Sequence, residues 1–142
     1  MIETILVPID IGHSDEGAGA LALAKNLVEG RESELVLLNV VERMPDYIVA
    51  QLPEGLLEKA REDAAARLEE IARRNGVGEA KLLVREGRPW DEILQQAEDL
   101  DADLIVLASH DPKLSDYLLG SVAARVVRHA HCSVLVARNL KT

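Results

Sequence analysis

The sequence predicts a single α/β domain built on an open parallel sheet. Five short aliphatic runs alternate with longer segments whose apolar residues recur at helical spacing. Strands that alternate with helices pair in parallel and are joined by right-handed crossovers. The 142 residues suffice for one core, and 48% of them are apolar. We therefore expect one domain over residues 1–142, with an aliphatic core.

The strands are predicted from runs rich in Val, Ile and Leu. Residues 4–9 (TILVPI) have the composition of a strand buried on both faces, and Pro8 should end it because proline cannot donate to a ladder. Residues 34–41 are interrupted only by Asn39, whose amide needs hydrogen-bond partners if it is buried. Residues 81–86 are less uniformly apolar, which favours an edge. The last two strands are residues 104–108 and 133–137.

The first two long helices are predicted from caps and apolar stripes. Ser14 or Asp15 is expected to cap the first helix, and Gly30 to end it. The longest helix is predicted over residues 54–74, with Asn75-Gly76 as its C-terminal cap. Its apolar stripe is predicted to consist of Leu57, Ala60, Ala64, Leu68 and Ile71.

Two further helices and one long loop complete the pattern. Pro89 suits the first position of a helix that covers residues 90–100, with Ile93, Leu94 and Ala97 facing inward. The last helix is predicted over residues 117–130. Residues 42–53 contain two prolines and no sustained period, so we expect a loop over the C-terminal edge of the sheet.

The composition argues against several classes of partner. The formal net charge of −9 repels a nucleic-acid backbone and an anionic membrane alike. Aromatic residues, on which single-stranded nucleic acids stack, make up only 2% of the chain. The N-terminal residues lack the basic segment of an export signal, and no apolar run approaches the ~20 residues that span a bilayer. We expect a cytoplasmic protein that binds no nucleic acid and does not insert into a membrane.

Histidine, cysteine and serine do not suggest a catalytic or metal site. Cys132 is the single cysteine, so no internal disulfide can form, and its apolar surroundings predict a buried, unreactive thiol. His129 and His131 alternate across a helix–strand junction, which favours structural or surface roles over metal binding. No nucleophile pattern and no P-loop lysine is present, so we assign no catalytic residue and do not expect fast ATP hydrolysis.

The candidate ligand site lies at the carboxyl ends of the strands. Ligands of open parallel sheets bind there, where the strand order reverses. If the first and fourth strands are neighbours, Asp10 and Ser109 face each other across a crevice. Gly120 and Ser121 open the last helix and could offer N–H groups and a hydroxyl to an anion, although such a pair by itself often marks only a helix N-terminus. Together with the backbone edge near Val40, these groups suit a nucleotide.

Three segments of the chain resemble the universal stress protein family. They are ILVPIDIGHS at residues 5–14, GRPWDEI at 87–93 and DADLIVLASHDPKLSDYLLGSVAARVVRHAHCSVLVAR at 101–138, and the likeness covers essentially the whole chain. The resemblance implies a five-stranded parallel sheet in the order 3-2-1-4-5, with helices on both faces, the Rossmann-like architecture of the adenine nucleotide alpha hydrolases. It also implies a homodimer formed through the last strand, Ser133 to Ala137.

The resemblance also implies a ligand and its contacts. In family members that bind ATP, the aspartate after the first strand and the backbone of the second strand hold the nucleoside. A loop of the pattern Gly-x2-Gly-x9-Gly-Ser/Thr holds the phosphates. For this chain the implied ligand is ATP or another adenine nucleotide, with or without Mg²⁺. The site positions are Pro8, Ile9, Asp10, Val40, Ala108, Ser109, His110, Gly120, Ser121 and Val122.

The phosphate loop departs from the family pattern. Ala108 stands at the first glycine, the second falls near Asp111, and the loop is one residue shorter. A carboxylate at Asp111 repels phosphate unless Lys113 or a cation compensates. The segments ASHDP and YLLGS nevertheless resemble a branch of the family that has ASHxP in place of the glycines and is still associated with nucleotide binding. His110 could donate to a phosphate or cap the strand.

Three functional hypotheses follow. The first is a cytoplasmic, dimeric, ATP-binding stress-response or signalling protein that passes its nucleotide state to an unidentified partner. The second is a nucleotide-free interaction or chaperone-like module, which the altered phosphate loop favours. The third is an enzyme that uses the same crevice, such as a slow nucleotide hydrolase.

Overall fold

The computed structural model describes residues 2–11, 18–108 and 120–138. Its strands are β1 (Thr4–Pro8), β2 (Glu34–Glu42), β3 (Lys81–Gly87), β4 (Leu104–Ala108) and β5 (Ser133–Ala137). They form one sheet in the order β3-β2-β1-β4-β5, and every pairing is parallel. The predicted parallel sheet, its 3-2-1-4-5 order and the edge position of the third strand are confirmed.

Helices cover both faces of the sheet, as expected. They are α1 (Ala18–Val28), α2 (Asp46–Val49), α3 (Leu56–Arg74), α4 (Pro89–Asp99) and α5 (Ser121–His129). Side chains of α1 and α3 pack against one face, and those of α4 and α5 pack against the other. The cap predicted at Ser14 or Asp15, and residues 117–119 of the last predicted helix, lie outside the described residues.

The core is built from aliphatic side chains that alternate along the strands. Ile5 and Val7 of β1 point to the face covered by α1 and α3, whereas Leu6 points to the face covered by α4 and α5. All three side chains are fully buried. The largest fully buried side chains are all Leu, Ile or Val, as the composition predicts. A strand buried on both faces in this way holds its tip in a fixed position.

Two predictions about the segment after β2 are wrong. Residues 42–53 are not a continuous loop, because α2 forms after Pro45, whose C=O accepts the N–H groups of Ile48 and Val49 at 3.0 and 3.1 Å. Proline tolerates a helix start because its missing N–H would have no helical partner there. Ala60 is exposed instead of buried and Leu57 is half-buried, so the fully buried stripe of α3 begins at Ala64, about two turns after the predicted start at Leu57.

Predicted helix ends and the start of α4 agree well with the structure. Gly30 and Gly76 follow α1 and α3 with φ of +75° and +72°, the left-handed conformation that glycine adopts readily at a helix end. Pro89 is the first residue of α4, as predicted. Ile93 and Ala97 are buried and Leu94 is half-buried. Most predicted bounds differ from the observed ones by one or two residues.

Asp103 ties the beginning of β1 to the beginning of β4. Its carboxylate accepts the N–H groups of Glu3 at 2.8 Å and Thr4 at 3.0 Å. Its own N–H donates to the C=O of Thr4 at 2.9 Å. The two hydrogen bonds from Glu3 and Thr4 stabilise the ionised carboxylate and so lower the pKa of Asp103.

The substitution Asp103→Asn is expected to destabilise the protein in a pH-dependent way. Because the pKa is lower in the folded state, the stabilisation is complete above the unfolded-state pKa of about 3.9 and is lost as the pH falls through the folded-state value. Urea unfolding should therefore show a lower midpoint for the variant at about pH 7, and a smaller difference at about pH 2.5. Asp101→Asn is the matched control. An equal difference at both pH values would contradict a role for the charge.

Candidate functional site

The backbone of β1 turns alternate residues towards its two neighbouring strands. The N–H of Ile9 donates to the C=O of Leu38 at 2.7 Å. At the other end, the N–H of Glu34 donates to the C=O of Glu3 at 2.7 Å. In a parallel ladder this pattern means that odd-numbered residues of β1 face β2 and even-numbered residues face β4.

Pro8 therefore faces β4, where it has no N–H to donate. The pairing of β1 with β4 ends at Leu6 and Ile105, whereas the pairing with β2 continues to Pro8 and Leu38. β2 and β3 are added on one side of β1, and β4 and β5 are added on the other. The strand order therefore reverses between β1 and β4. The proline thus ends the ladder at the position where ligands of such folds bind.

Asp10 follows the tip of β1 and is exposed at this carboxyl edge. The prediction that the first and fourth strands are neighbours is confirmed. Ser109 and His110 lie outside the described residues, so the facing of Asp10 and Ser109 across the crevice stays a prediction.

Asn39 fastens the tip of β1 to β2. Its side chain is 5% exposed, and its Nδ2 donates to the C=O of Ile9 at 2.9 Å. The partner that a buried amide needs is thus the residue directly before Asp10. Sequence reasoning identified the need for a partner but could not identify it, because the contact joins residues 30 positions apart.

Val40 turns its main chain towards the space beyond the tip of β1. Even-numbered residues of β2 face β1, as the contacts of Glu34 and Leu38 establish. A regular ladder would pair the N–H of Val40 with the C=O of Ile9, but among the described residues no such hydrogen bond forms. A backbone donor and a backbone acceptor therefore lie side by side at this edge.

The first turn of α5 reaches the same edge from the other side of the opening. β4 and β5 begin level with each other, since Leu104 pairs with Ser133, and α5 ends at His129 just before β5. The helix must therefore run from the carboxyl edge to the amino edge. Its N-cap is Gly120, and no side chain in the described part of the chain caps it. The first N–H groups of the helix point towards the carboxyl edge without a helical acceptor.

Among the described residues, neither backbone conformation nor packing requires a glycine at position 120. Gly120 has φ of −61° and ψ of 159°, an extended backbone that any residue adopts. A Cβ there would meet no atom of the described residues within 4 Å. Ser121 is exposed, and Val122 packs against the cluster beneath α4 and α5. No described atom therefore fills the space next to Gly120.

An alanine at position 108 causes no backbone strain. Ala108 is the last residue of β4 and pairs with Ala137, so its backbone is extended. A glycine, which the resembled family pattern has at this position, is therefore not needed here for a positive φ. The remaining loop residues of the motif, Asp111 and Lys113 among them, lie outside the described residues.

Basic side chains reach the carboxyl edge of this acidic chain. Nη2 of Arg67, on α3, lies 3.4 Å from the C=O of Ile11, a long contact with an exposed donor. Glu86, near the end of β3, pairs with Arg61 and lies 3.9 Å from Nε of Arg43. These exposed pairs contribute little to stability, but they place positive charge at the edge where Asp10 lies.

Trp90 connects α4 to α5 next to the site. The guanidinium carbon of Arg125 lies 4.9 Å from the centre of the Trp90 ring, within the range of a cation–π contact. Trp90 is half-buried against the cluster under both helices. The contact joins the start of α4 to the second turn of α5, and so supports the orientation of the Gly120-Ser121 turn.

The Trp90–Arg125 contact is expected to show a coupling of about 0.5–1 kcal/mol in a double-mutant cycle. The variants are Trp90→Leu, Arg125→Ala and the double variant, and the free energy of unfolding is followed by far-UV circular dichroism. Arg128→Ala, on the exposed surface of the same helix, is the control. A coupling of zero would show that the two side chains do not interact in solution.

A groove of about 400 Å³ lies away from the candidate site, between α4 and the α5–β5 connection. Its lining includes His129, His131 and Cys132. Cys132 is half-buried, so its thiol is less buried than predicted. This partial burial raises the pKa of the thiol. Across residues 2–11, 18–108 and 120–138, no group of three His, Cys, Asp or Glu side chains could hold a metal ion. Within the same ranges, no helix is both long and apolar enough to cross a membrane.

Comparison of the sequence with known proteins identifies one family over almost its whole length. The model of the Universal stress protein family matches residues 1–138. A universal stress protein of Methanothermobacter thermautotrophicus is 30% identical over 99% of this chain and 98% of its own. A universal stress protein of Thermus aquaticus is 33% identical over 97% of this chain and 100% of its own.

Solved structures share the fold. The hypothetical protein MJ0577 superposes with a TM-score of 0.81 at 29% identity, over 100% of this chain and 99% of its own. A universal stress protein in complex with cAMP superposes with a TM-score of 0.70 at 22% identity, over 96% of this chain and 97% of its own. Both agree with the parallel sheet described above.

Proposed function

The chain belongs to the universal stress protein family, and on that premise we propose that it is a cytoplasmic, dimeric stress-response or signalling protein that binds an adenine nucleotide. ATP is the foremost candidate, with or without Mg²⁺. One observation carries the proposal: the β1–β4 pairing ends at Leu6, before Pro8, and the tip of β1 lies between two sets of backbone groups that lack partners among the described residues, the N–H of Val40 and the first N–H groups of α5. The opening has a polar edge for a nucleoside on one side and anion-binding N–H groups on the other.

The nucleoside half of the proposed site consists of Pro8, Ile9, Asp10 and Val40. Adenine carries an amino donor next to a ring-nitrogen acceptor. The adjacent C=O and N–H of Val40 offer the complementary pair. The Asp10 carboxylate, directly after the tip of β1, can accept hydrogen bonds from ribose hydroxyls.

The phosphate half consists of Gly120, Ser121 and Val122 at the start of α5. Free N–H groups and the helix dipole favour an anion at a helix N-terminus. The space beside Gly120, which a Cβ would narrow, supports close approach of a phosphate. Ala108, Ser109 and His110 complete the proposed contacts at the end of β4.

The cAMP complex supports the proposal at the level of the fold. Its ligand is an adenine nucleotide, and its protein has the same architecture as this chain. At that level of identity the likeness extends to the fold alone. The residues of the present chain therefore carry the argument.

A second candidate function is a nucleotide-free interaction module, and one surface favours it. Tyr47 is 71% exposed, and Met44 and Leu56 are 37% and 43% exposed. These apolar side chains follow β2 beside the carboxyl edge, where a protein partner could cover them. This function predicts no change in thermal stability with ATP, whereas nucleotide at 100 times Kd should stabilise the fold by about 2.7 kcal/mol.

Ser121→Ala is expected to weaken ATP binding by roughly tenfold and to leave adenosine binding nearly unchanged, because the hydroxyl is proposed to contact phosphate only. Calorimetric titration of both ligands into the wild-type protein and the variant measures the difference. Ser33→Ala is the control, since this hydroxyl lies just before β2 and donates to the C=O of Ile2.

Equal losses for ATP and adenosine would place the phosphates elsewhere. A wild-type protein that binds neither ligand, at millimolar concentration and with Mg²⁺ present, would refute nucleotide binding. If ATP is turned over, an unchanged rate in Asp10→Ala would exclude hydrolysis at this site.

We further propose that the dimer forms through β5. β5 is an edge strand, and its outer backbone groups are open to pairing with a second copy. Sedimentation should give twice the chain mass of 15.5 kDa, and Val136→Lys should give the monomer mass, since a charge on an edge strand opposes pairing. Val127→Lys, on the exposed face of α5, should leave the dimer intact. A monomeric wild-type protein, or a folded dimeric Val136→Lys variant, would contradict this interface.

A further inference from the structure

We infer that Asn39 is a positioning residue of the nucleotide site: its side-chain N–H replaces the Val40 N–H at the Ile9 carbonyl, which leaves the Val40 main chain open to the nucleobase. The inference rests on the proposed function and assigns a task to a side chain that does not itself touch the ligand. It is carried by the hydrogen-bond pattern at the end of β1.

The hydrogen bonds between β1 and β2 depart from a regular ladder at the tip of β1. The N–H of Ile9 donates to Leu38, as a regular parallel ladder requires. The next regular bond would run from the N–H of Val40 to the C=O of Ile9. That carbonyl instead accepts from Nδ2 of Asn39 at 2.9 Å. The ladder thus stops one bond early, at the carbonyl to which the Asn39 side chain donates.

The use of a side-chain donor at the Ile9 carbonyl requires a buried polar residue in β2. Asn39 is 5% exposed, and no buried side-chain N or O of the described residues lacks a hydrogen-bond partner. An amide is therefore kept in the core at a place where its neighbours in β2 are aliphatic. Burying an amide is unfavourable unless it is fully hydrogen-bonded, so an aliphatic residue would suit the fold alone.

Asn39 also bears on the position of Asp10. Pro8 removes a hydrogen bond that would hold the end of β1 to β4. Ile9, at the tip, is attached to β2 by its N–H, which donates to Leu38, and by its C=O, which accepts from Asn39. Asn39 thus holds the C=O of Ile9 in place. Because Asp10 follows Ile9 directly, this hydrogen bond also restrains the backbone from which the Asp10 side chain extends.

The variants Asn39→Leu and Asn39→Asp test this role. Both remove the amide donor, the first with an apolar side chain of similar size and the second with a carboxylate. We expect adenosine affinity to fall by about tenfold in each, and affinity for inorganic tripolyphosphate to stay unchanged, because the start of α5 is untouched.

Gln96→Leu is the matched control. Gln96, on α4, is the other buried polar residue of the described structure, with an exposure of 8%. Its substitution also removes a buried amide, but far from the tip of β1, and should leave adenosine affinity unchanged. Unchanged adenosine affinity in a folded Asn39→Leu variant, or an equal loss for adenosine and tripolyphosphate, would overturn the positioning role.

Amide hydrogen exchange tests the same inference in the unmutated protein. In the ligand-free wild type, the Val40 N–H should exchange at least a hundredfold faster than that of Val36, which faces β1 from the interior of the same ladder. Adenosine should then slow the exchange of the Val40 N–H. Protection of Val40 equal to that of Val36 without ligand would overturn the inference whether or not the variants fold. A wild type that binds no adenosine would refute the proposed function instead, while the exchange of Val40 in the free protein would still report on Asn39.

Discussion

The missing N–H of Pro8 is the constraint on which the carboxyl edge of this sheet depends. Because even-numbered residues of β1 face β4, the proline removes the one hydrogen bond that would continue that ladder. A proline inside a central strand is normally costly. Here it lies at the last position of β1, at the point where an open parallel sheet binds its ligands. Pro8 thus adds to the opening that the reversal of strand order creates between β1 and β4.

The rest of the fold holds that opening in shape. β1 is buried on both faces, with Ile5, Leu6 and Val7 fully covered by the two helical layers. Asp103 anchors its beginning and Asn39 anchors its end. A strand restrained at both ends and packed on both faces cannot shift along its axis without disrupting the core. The tip of β1 is therefore a suitable support for a binding site.

The local electrostatics at this edge differ from those of the whole chain. A net charge of −9 opposes the approach of an anion. At the carboxyl edge, however, Arg67 lies near Ile11, and the first turn of α5 directs its N–H groups outward. Short-range hydrogen bonds and a helix N-terminus act within a few ångströms, where they outweigh a diffuse surface charge that salt screens.

The amino-acid sequence by itself determined the strands and most helices, because aliphatic runs, caps and turn residues act locally and leave direct patterns. It also predicted the place of the candidate site. It predicted that Pro8 ends a strand and that Asn39 needs a partner. It could not predict that Pro8 faces β4 or that Asn39 reaches Ile9, since both depend on the register between strands that are distant in the chain. The short helix α2 and the exposure of Ala60 were also not predicted. A local pattern of apolar residues does not reveal how far the packing partner of a helix extends along it. Tertiary structure decided these points, and with them which backbone groups at the edge remain open to a ligand.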